Sequence, residues 1–364
     1  MPKKPKRPMP AWLQSVAAAG LRTAMTLPLA AGIGPSLAIA DRLGRWFGAL
    51  PFNRKRLDRA IEHLAFAFPD WSVEQRRTCA LDAYSHLFRL AVEVAYTPRL
   101  VGDDSWHEHI EVVGIDPATR HDPCSAKVAL QRLMAGRPAV MITGHCGNWE
   151  VLGYALAVLG FQVHALYRPL DNRALDRWVR EVRQRKGLVL LDKFGATENL
   201  PRLLSRGHPV AFVADQNAGD RGLFVPFFGR LASTYKTIGL LAMQHDAPVI
   251  CAMARRVDPA KAAGRTMPYR IEIADVIEPA DWKGQPDPLF YITARYRVAI
   301  ERMVRSAPEQ YLWMHRIWKS RPRHERDHKP VPTALAAKLR ALPWLNDADV
   351  ERVVEQSRRE AGAA

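Results

Sequence analysis

Apolar residues recur along the chain with two different periods, and the change falls near residue 111. Before that point they follow helical spacing with arginines on the opposite face, at Leu57, Ile61, Leu64 and Phe68. Ser72 and Gln75 form a capping box ahead of a long helix, which we expect to end before Pro98. The pattern therefore predicts a helical region over residues 51–110.

After residue 111, short apolar runs alternate with helical segments. We predict strands at residues 140–143, 162–166, 188–191, 210–214, 249–253 and 269–274. The helices between them are predicted at residues 170–186, 196–205, 235–245 and 291–306. This alternation is typical of an α/β domain with a mixed, largely parallel sheet flanked by helices, here residues 111–330. Residues 331–364 are predicted to be a charged helical extension with four candidate packing residues, Leu339, Leu342, Val350 and Val353.

The first 50 residues combine a basic, proline-rich start with an apolar stretch. Residues 23–40 carry no charge, but their length is at the lower limit for a membrane span, and Pro28 and Pro35 interrupt them. No convincing cleavage site of a secretory signal follows. We expect an interfacial or shallowly inserted membrane-associated segment, with a true span as the alternative and the basic start on the cytoplasmic side.

The charge balance restricts the classes of binding partner that we expect. Lys and Arg number 53 against 37 Asp and Glu, a formal net charge of +16. Such a surplus suits nucleic acid, an anionic membrane or a phosphorylated substrate. No zinc finger or RNA-recognition signature is present, so a membrane or anionic lipid is favoured over nucleic acid. The four cysteines show no paired spacing, which indicates a reduced, cytosol-facing protein.

The hexapeptide that begins at His145 and ends at Glu150 is the first candidate for chemistry. On one continuous helix these two residues would point about 140° apart, so they meet only if His145 lies in a loop before the helix. Gly144 and Gly147 permit such a loop, and Asn148 is a good N-cap. A carboxylate beside an imidazole makes a general-base pair. The plain alternative is a histidine that only satisfies backbone groups.

Other polar residues follow predicted strands. Asp215 comes directly after the strand at residues 210–214, and Arg168 closes the strand at residues 162–166. The carboxyl ends of strands are where α/β sheets place ligand sites. The aromatic run at residues 224–229 could line an apolar cleft, or pack in the core. Cys146 is a weak candidate nucleophile.

His324, Glu325 and His328 match the zinc-protease pattern His-Glu-x-x-His. That pattern needs a buried helix, whereas this copy lies between prolines in a stretch with few apolar residues. We therefore expect a solvated linker without metal.

The chain resembles the bacterial lipid A biosynthesis acyltransferases, the lauroyl and myristoyl transferase family within the lysophospholipid acyltransferase superfamily. The resemblance covers about residues 27–322. Four ordered blocks carry it, at residues 144–150, at 167–172, at 215–217 with 224–229, and at 308–322. It implies a glycerolipid acyltransferase-like fold, with the catalytic domain at residues 111–330.

The resemblance also implies a reaction, direct transfer of a fatty acyl group from an acyl-carrier-protein thioester to a hydroxyl of a membrane glycolipid. His145 would remove the hydroxyl proton, and Glu150 would orient and charge-stabilise His145. Arg168, with Asn148 or a backbone amide, would stabilise the oxyanion or bind acceptor phosphate. Asp215 is a second candidate for positioning His145. No metal or small cofactor is implied.

Several alternatives stay open at this level. The expected donor is acyl carrier protein or acyl-CoA. The expected acceptor is a phosphorylated glycolipid at the cytoplasmic face of the cell inner membrane. A lysophospholipid or another membrane glycolipid is the alternative acceptor. A thioesterase, or a non-catalytic basic protein that binds a membrane surface or nucleic acid, is the alternative from another class. Acyl chain length and oligomeric state do not follow from the sequence.

Overall fold

A computed structural model describes residues 19–20, 23, 29–114, 135–167, 169, 172–184, 187–192, 196–258 and 267–363. The described helices ahead of the sheet include α1 (Ile33–Ala49), α2 (Arg54–Ala67) and α3 (Val73–Leu100). The predicted capping box of Ser72 and Gln75 begins α3. The expected end before Pro98 is wrong, because α3 continues to Leu100. A proline in the last turn removes one helical hydrogen bond only, and the helix tolerates that loss.

The predicted mixed, largely parallel sheet is confirmed. Seven strands lie in the order β1-β9-β8-β2-β5-β3-β4, and among them only β8 and β9 pair antiparallel. The strands are β1 (Ile110–Gly114), β2 (Val140–Thr143), β3 (His164–Tyr167), β4 (Val189–Asp192), β5 (Val210–Val213), β8 (Val249–Arg256) and β9 (Tyr269–Ile277). A separate hairpin is formed by β6 (Leu223–Phe227) and β7 (Arg230–Thr234).

Helices connect the strands and cover the sheet. They are α4 (Trp149–Val158), α5 (Arg173–Gln184), α6 (Ala196–Ser205), α7 (Lys236–His245), α8 (Pro279–Lys283) and α9 (Pro288–Ser306). All four residues of β2 are buried, as a strand covered on both faces requires. Leu64 and Tyr84 from the N-terminal helices share a core cluster with Val140 and Phe212 of the sheet. The boundaries at residues 50, 110 and 330 stay predictions.

The alternative of a true membrane span is not supported in the described part of the N-terminal segment. Among the described residues, no helix combines the length and the apolar character needed to cross the bilayer. Helix α1 instead packs on α3 through small residues, Ser36, Ala40, Gly44 and Gly48. A Cβ on Gly44 would lie 2.6 Å from the Ser85 Cα atom, so the two backbones meet closely. Residues 1–18 and 24–28 lie outside the described part of the chain.

The C-terminal extension forms α11 (Thr333–Arg340) and α12 (Asp347–Ala363), after the short helix α10 (Arg323–Arg326). The four candidate packing residues are all buried. The expectation of a solvated linker is wrong for His324 and Glu325, which are buried against α12, whereas residues 326–330 are exposed. The Ser357 hydroxyl donates to Glu325 at 2.5 Å and contacts His324 Nε2 at 2.9 Å.

Candidate active site

Two neighbouring parallel strands place His145 beside Asp215. Strands β2 and β5 pair in register from Val140 and Val210, so their carboxyl ends lie together. His145 follows β2, and Asp215 follows β5. The distance from His145 Nδ1 to Asp215 Oδ1 is 2.7 Å. The imidazole is 18% exposed and the carboxylate 2%, so one side of the ring remains accessible.

The loop that carries His145 depends on a glycine. Gly147 has a φ of 60°, and a Cβ there would lie 2.3 Å from the Ala254 carbonyl oxygen. The Gly147 N–H donates to the Gln310 carbonyl at 2.9 Å, and the Leu312 N–H donates to the His145 carbonyl at 3.1 Å. The histidine loop is therefore held between β8 and the segment around residue 310.

Asn148 fastens the start of α4. Its side-chain oxygen accepts from the Val151 N–H at 3.1 Å, as the predicted N-cap requires. Its amide nitrogen donates to Tyr269 at 2.9 Å and to Glu93 at 3.2 Å. The side chain is fully buried. Because both ends are occupied away from the imidazole, the structure does not favour an oxyanion role for this amide.

A buried charged cluster supports the same loop from α3. Arg256 donates to both carboxylate oxygens of Glu93 at 2.5 Å. His86 Nε2 lies 3.0 Å from the Gly147 carbonyl oxygen, so its ring must donate there. Burial, together with the charge of Arg256, holds the pKa of His86 well below its usual value. The neutral ring therefore links α3 to the histidine loop.

Glu150 does not contact the imidazole. Its carboxylate pairs with Arg183 of α5, with an Nε to Oε2 distance of 2.6 Å, and accepts from the Trp149 indole N–H at 3.0 Å. Asp215 makes the contact with His145 that we expected of Glu150. The reason is geometric, since the start of α4 directs position 150 toward α5. Trp149 packs edge-on against His145, with ring centroids 4.9 Å apart.

The electrostatics of the pair follow from burial and charge. Burial lowers the pKa of His145, but the Asp215 carboxylate, the hydrogen bond to it and the charge of Glu150 together raise that pKa above 6.5. Burial raises the pKa of Asp215, and the opposing effects of His145, Arg297 and His315 leave it well below its usual range. Asp215 is therefore an anion that only accepts, so His145 Nδ1 carries the proton. In the neutral ring, Nε2 then holds the free lone pair.

Two further polar side chains lie at the exposed edge of His145. The ring of His315 stacks on it with centroids 5.0 Å apart. Gln216 Nε2 lies 3.1 Å from His315 Nδ1 and 3.5 Å from His145 Nε2. Burial and the charge of His145 lower the pKa of His315, which keeps this second ring neutral. The Gln216 amide thus lies against both imidazoles, and its distance to His145 Nε2 is at the limit of a hydrogen bond.

An apolar cavity of about 510 Å³ opens beside this site. His145, Gln216, Trp149 and the ion pair of Glu150 and Arg183 line its polar part. The rest of its wall is mostly aliphatic, with side chains from α4 and the neighbouring strands, Leu152, Leu156, Val163, Leu188, Leu190 and Phe212. An imidazole at the edge of a mostly apolar cavity fits a substrate with a reactive head and a hydrocarbon tail.

Comparison with known proteins agrees with this geometry. The family model described as bacterial lipid A biosynthesis acyltransferase matches residues 2–320. The chain belongs to this family. It is therefore an acyltransferase of lipid A biosynthesis, as the resemblance implied.

Characterised relatives carry related names. The chain is similar to the lipid A biosynthesis palmitoleoyltransferase of Escherichia coli (strain K12), with 27% identity over 292 residues, 77% of this chain and 85% of the relative. It is 24% identical over 290 residues to the lauroyltransferase of the same organism, covering 77% and 85% of the two chains. The E. coli myristoyltransferase is 24% identical over 312 residues, covering 85% and 87%.

Within the acyltransferase, the remaining candidates fall into three groups. Arg168 lies outside the described residues. The aromatic run at residues 224–229 forms β6 and the turn after it, and Phe227 and Phe228 are core residues away from the cavity. Cys146 is buried, and burial and the charge of Asp215 raise the pKa of its thiol, so it is not an activated nucleophile.

The structure also shows what sequence reasoning missed in this acyltransferase. Arg297 on α9 is fully buried and donates to the Asp215 carbonyl at 2.8 Å. In the sequence it looks like an ordinary polar residue of an amphipathic helix, so nothing there indicated this contact. Gln216 and His315 lie in recognised blocks, yet nothing in their spacing indicates contact with His145. In the described part of the chain, no group of metal-ligating side chains is present, including residues 324–328.

Proposed function

We propose that this acyltransferase moves a fatty acyl group from an acyl-carrier-protein thioester to a hydroxyl of a lipid A precursor, with His145 as general base. The observation that carries the proposal is the carboxylate-held imidazole at the edge of the apolar cavity. Its Nδ1–H is bound to Asp215, which leaves the Nε2 lone pair for the acceptor. General-base catalysis of this kind contributes on the order of 10²–10⁴ in rate.

The reaction is a direct transfer. His145 Nε2 takes the proton of the acceptor hydroxyl as its oxygen attacks the thioester carbonyl carbon. The tetrahedral intermediate then collapses, the C–S bond breaks, and the departing thiolate takes the proton from the imidazolium. The products are an ester on the acceptor and a free carrier thiol, and no acyl-enzyme forms.

Asp215 is the positioning carboxylate in this scheme. It fixes the tautomer of His145 and stabilises the imidazolium that forms during attack. Glu150 keeps a supporting role through charge, because its carboxylate raises the pKa of His145 from a distance while Arg183 holds it in place. For Arg168 we retain the role that the family resemblance implies, stabilisation of the oxyanion or binding of acceptor phosphate.

The cavity supplies the place for the acyl chain. Burying each methylene of a hydrocarbon chain stabilises binding by about 0.8 kcal/mol, so an apolar cavity favours a long acyl donor. The relatives differ in the acyl group that they are named for, and we do not assign one to this chain. The charge of +16 supports an acidic carrier protein, a phosphorylated acceptor and the anionic cytoplasmic face of the inner membrane as its surroundings.

The test is a transfer assay with purified enzyme. Acyl-carrier-protein and acyl-CoA donors of several lengths are each incubated with a tetra-acylated lipid A precursor and with a lysophospholipid. We expect ester formation with the lipid A precursor and the carrier-protein donor. The His145→Ala variant, once circular dichroism has shown that it is folded, should be roughly 10²–10⁴-fold less active than wild type.

Other outcomes would redirect the assignment. Near-wild-type transfer by His145→Ala would overturn the mechanism. Preference for the lysophospholipid would change the acceptor, and preference for acyl-CoA would change the donor. Free fatty acid released at full rate without any acceptor would indicate a thioesterase. A deletion strain should accumulate the under-acylated lipid A precursor.

A further inference from the structure

Helix α1 has an apolar face that nothing in the described structure covers. Ile39, Leu43 and Trp46 are 53%, 46% and 61% exposed. At about 100° per residue, these three positions fall within roughly 60° of the helix circumference. We call them, with the neighbouring Phe52, the outer face of α1. Phe52 is 65% exposed and packs edge-on against Phe47, with ring centroids 5.4 Å apart.

The opposite side of α1 is fixed to the protein. Its small residues meet α3 closely enough that a Cβ on Gly48 would lie 2.6 Å from the Tyr84 ring. An ion pair between Arg45 and Asp82 joins the same two helices. Since α1 cannot turn its outer face inward, exposure of those side chains is a property of the folded molecule.

Exposed cations lie close in sequence to the outer face. Arg42 lies on α1 itself, and Arg54, Lys55 and Arg56 begin two residues after Phe52. All four are exposed. The Arg54 guanidinium lies 3.8 Å from the Asp58 carboxylate, which makes a loose ion pair at the surface. Tryptophan and phenylalanine beside arginine and lysine are the composition of helices that lie in a membrane interface. The cations match anionic headgroups, and the apolar side chains match the outer part of the acyl region.

We propose that the outer face of α1 is immersed in the interface of an anionic phospholipid bilayer, with the helix axis in the membrane plane. This proposal rests on the membrane setting of the proposed function and names the surface that makes the contact. Helix α3 carries α1 on one side and, through His86, contacts the catalytic loop at Gly147. Immersion of α1 would therefore fix the position of the active site relative to the bilayer.

The first experiment measures binding of the full chain to sedimented vesicles without any acceptor lipid. The vesicles contain phosphatidylethanolamine with phosphatidylglycerol. Trp46→Ser combined with Phe52→Ser should bind roughly ten-fold more weakly, because two large apolar side chains no longer leave water. The matched control, Leu240→Ser with Met243→Ser, removes exposed apolar side chains on α7 and should bind like wild type. Unchanged binding of the α1 variant, or an equal loss in the control, would overturn the proposal.

Two further measurements separate the insertion of Trp46 into the bilayer from the electrostatic attraction of the cations to anionic lipid. Trp46→Phe keeps an aromatic side chain, so it should bind vesicles normally yet lose part of the fluorescence quenching by brominated lipids. Equal quenching in this variant and wild type would contradict immersion. Arg54→Gln with Lys55→Gln should weaken binding to vesicles with phosphatidylglycerol and not to phosphatidylcholine vesicles. Loss of self-association in the Trp46 variant, with vesicle binding intact, would assign the face to a second copy of the chain.

Activity measurements keep this proposal distinct from the chemistry. The Trp46 and Phe52 double variant should retain transfer to an acceptor dispersed in detergent and lose it with the acceptor in vesicles. Absence of transfer by wild-type enzyme in both assays would refute the proposed function, whereas the vesicle-binding result would still decide the role of α1.

Discussion

At the scale of single residues, two carboxylates of the site affect His145 in different ways. Asp215 holds the imidazole directly, and Glu150 acts on it only through charge while it is paired with Arg183. The sequence pattern pointed to Glu150 because it lies in the same block as His145. Asp215 is 70 residues further along the chain, and only the pairing of β2 with β5 brings it to the ring.

The two carboxylates should differ in the pH profile of transfer. In the proposed mechanism His145 must be neutral to act as base, so activity should rise with pH through its pKa, which the Asp215 carboxylate raises above its usual value. Asp215→Asn removes the nearest negative charge, so the acid limb should move to lower pH while the plateau falls roughly a hundredfold or more. Glu150→Gln should move the limb less and leave the plateau within about tenfold. The reverse order would make Glu150 the positioning residue.

Arg297 stabilises Asp215, the carboxylate that contacts His145. It donates to the backbone carbonyl of Asp215, and its charge helps to keep the carboxylate ionised. Arg297→Met should lower kcat by about tenfold or more, since the carboxylate that stabilises the imidazolium is then less firmly held. The acid limb should also shift, which a purely structural loss would not cause. A lower melting temperature with an unchanged kcat and pH profile would limit Arg297 to a packing role.

At the scale of elements, α4 connects the histidine loop to the cavity. Its first turn holds Glu150, and one turn further Gly153, Leu152 and Leu156 form part of the cavity wall. A Cβ on Gly153 would lie 3.3 Å from a Leu188 methyl group, so a larger side chain there must enter the cavity or displace Leu188. Under the proposed function, the helix that positions the histidine loop therefore also limits the room for the acyl chain.

Gly153→Leu tests this link through acyl chain preference. Leucine is a good helix residue, so the fold should persist. The variant should favour shorter donors, by roughly four-fold for each methylene that the cavity no longer accommodates. Competition between donors of different length measures the shift. Val158→Leu, on α4 but away from the cavity lining, is the control and should keep the wild-type preference.

At the scale of the whole molecule, the C-terminal extension closes the core beyond the part that matches the family. The match ends at residue 320, and α12 then packs back through Val350 and Val353. Glu360 pairs with Arg321 at 2.7 Å and with Arg230 at 2.5 Å, which ties α12 to β7. Ser357 completes the hydrogen bonds of buried Glu325.

Removal of residues 346–364 should therefore destabilise the enzyme. Loss of two buried valines costs about 3 kcal/mol or more, because a fully buried aliphatic side chain contributes about 1.5–3 kcal/mol. For a chain of this size we expect the melting temperature to fall by roughly 5–10 °C. Removal of residues 362–364 alone is the control. An unchanged melting temperature after the longer truncation would show that α12 is not part of the cooperative core.

The sequence by itself determined the local elements, the sheet class and the histidine at a strand end, because apolar period, caps and glycines act over a few neighbouring residues. It also determined the reaction class, since four ordered blocks carry the family resemblance. The tertiary structure decided which groups meet His145, namely Asp215, Gln216 and His315, and which do not, namely Glu150 and Asn148. It also decided that His324 and Glu325 are buried and that α1 keeps one apolar face outward. Strand pairing and helix packing join residues far apart in the chain, and no local period records those contacts.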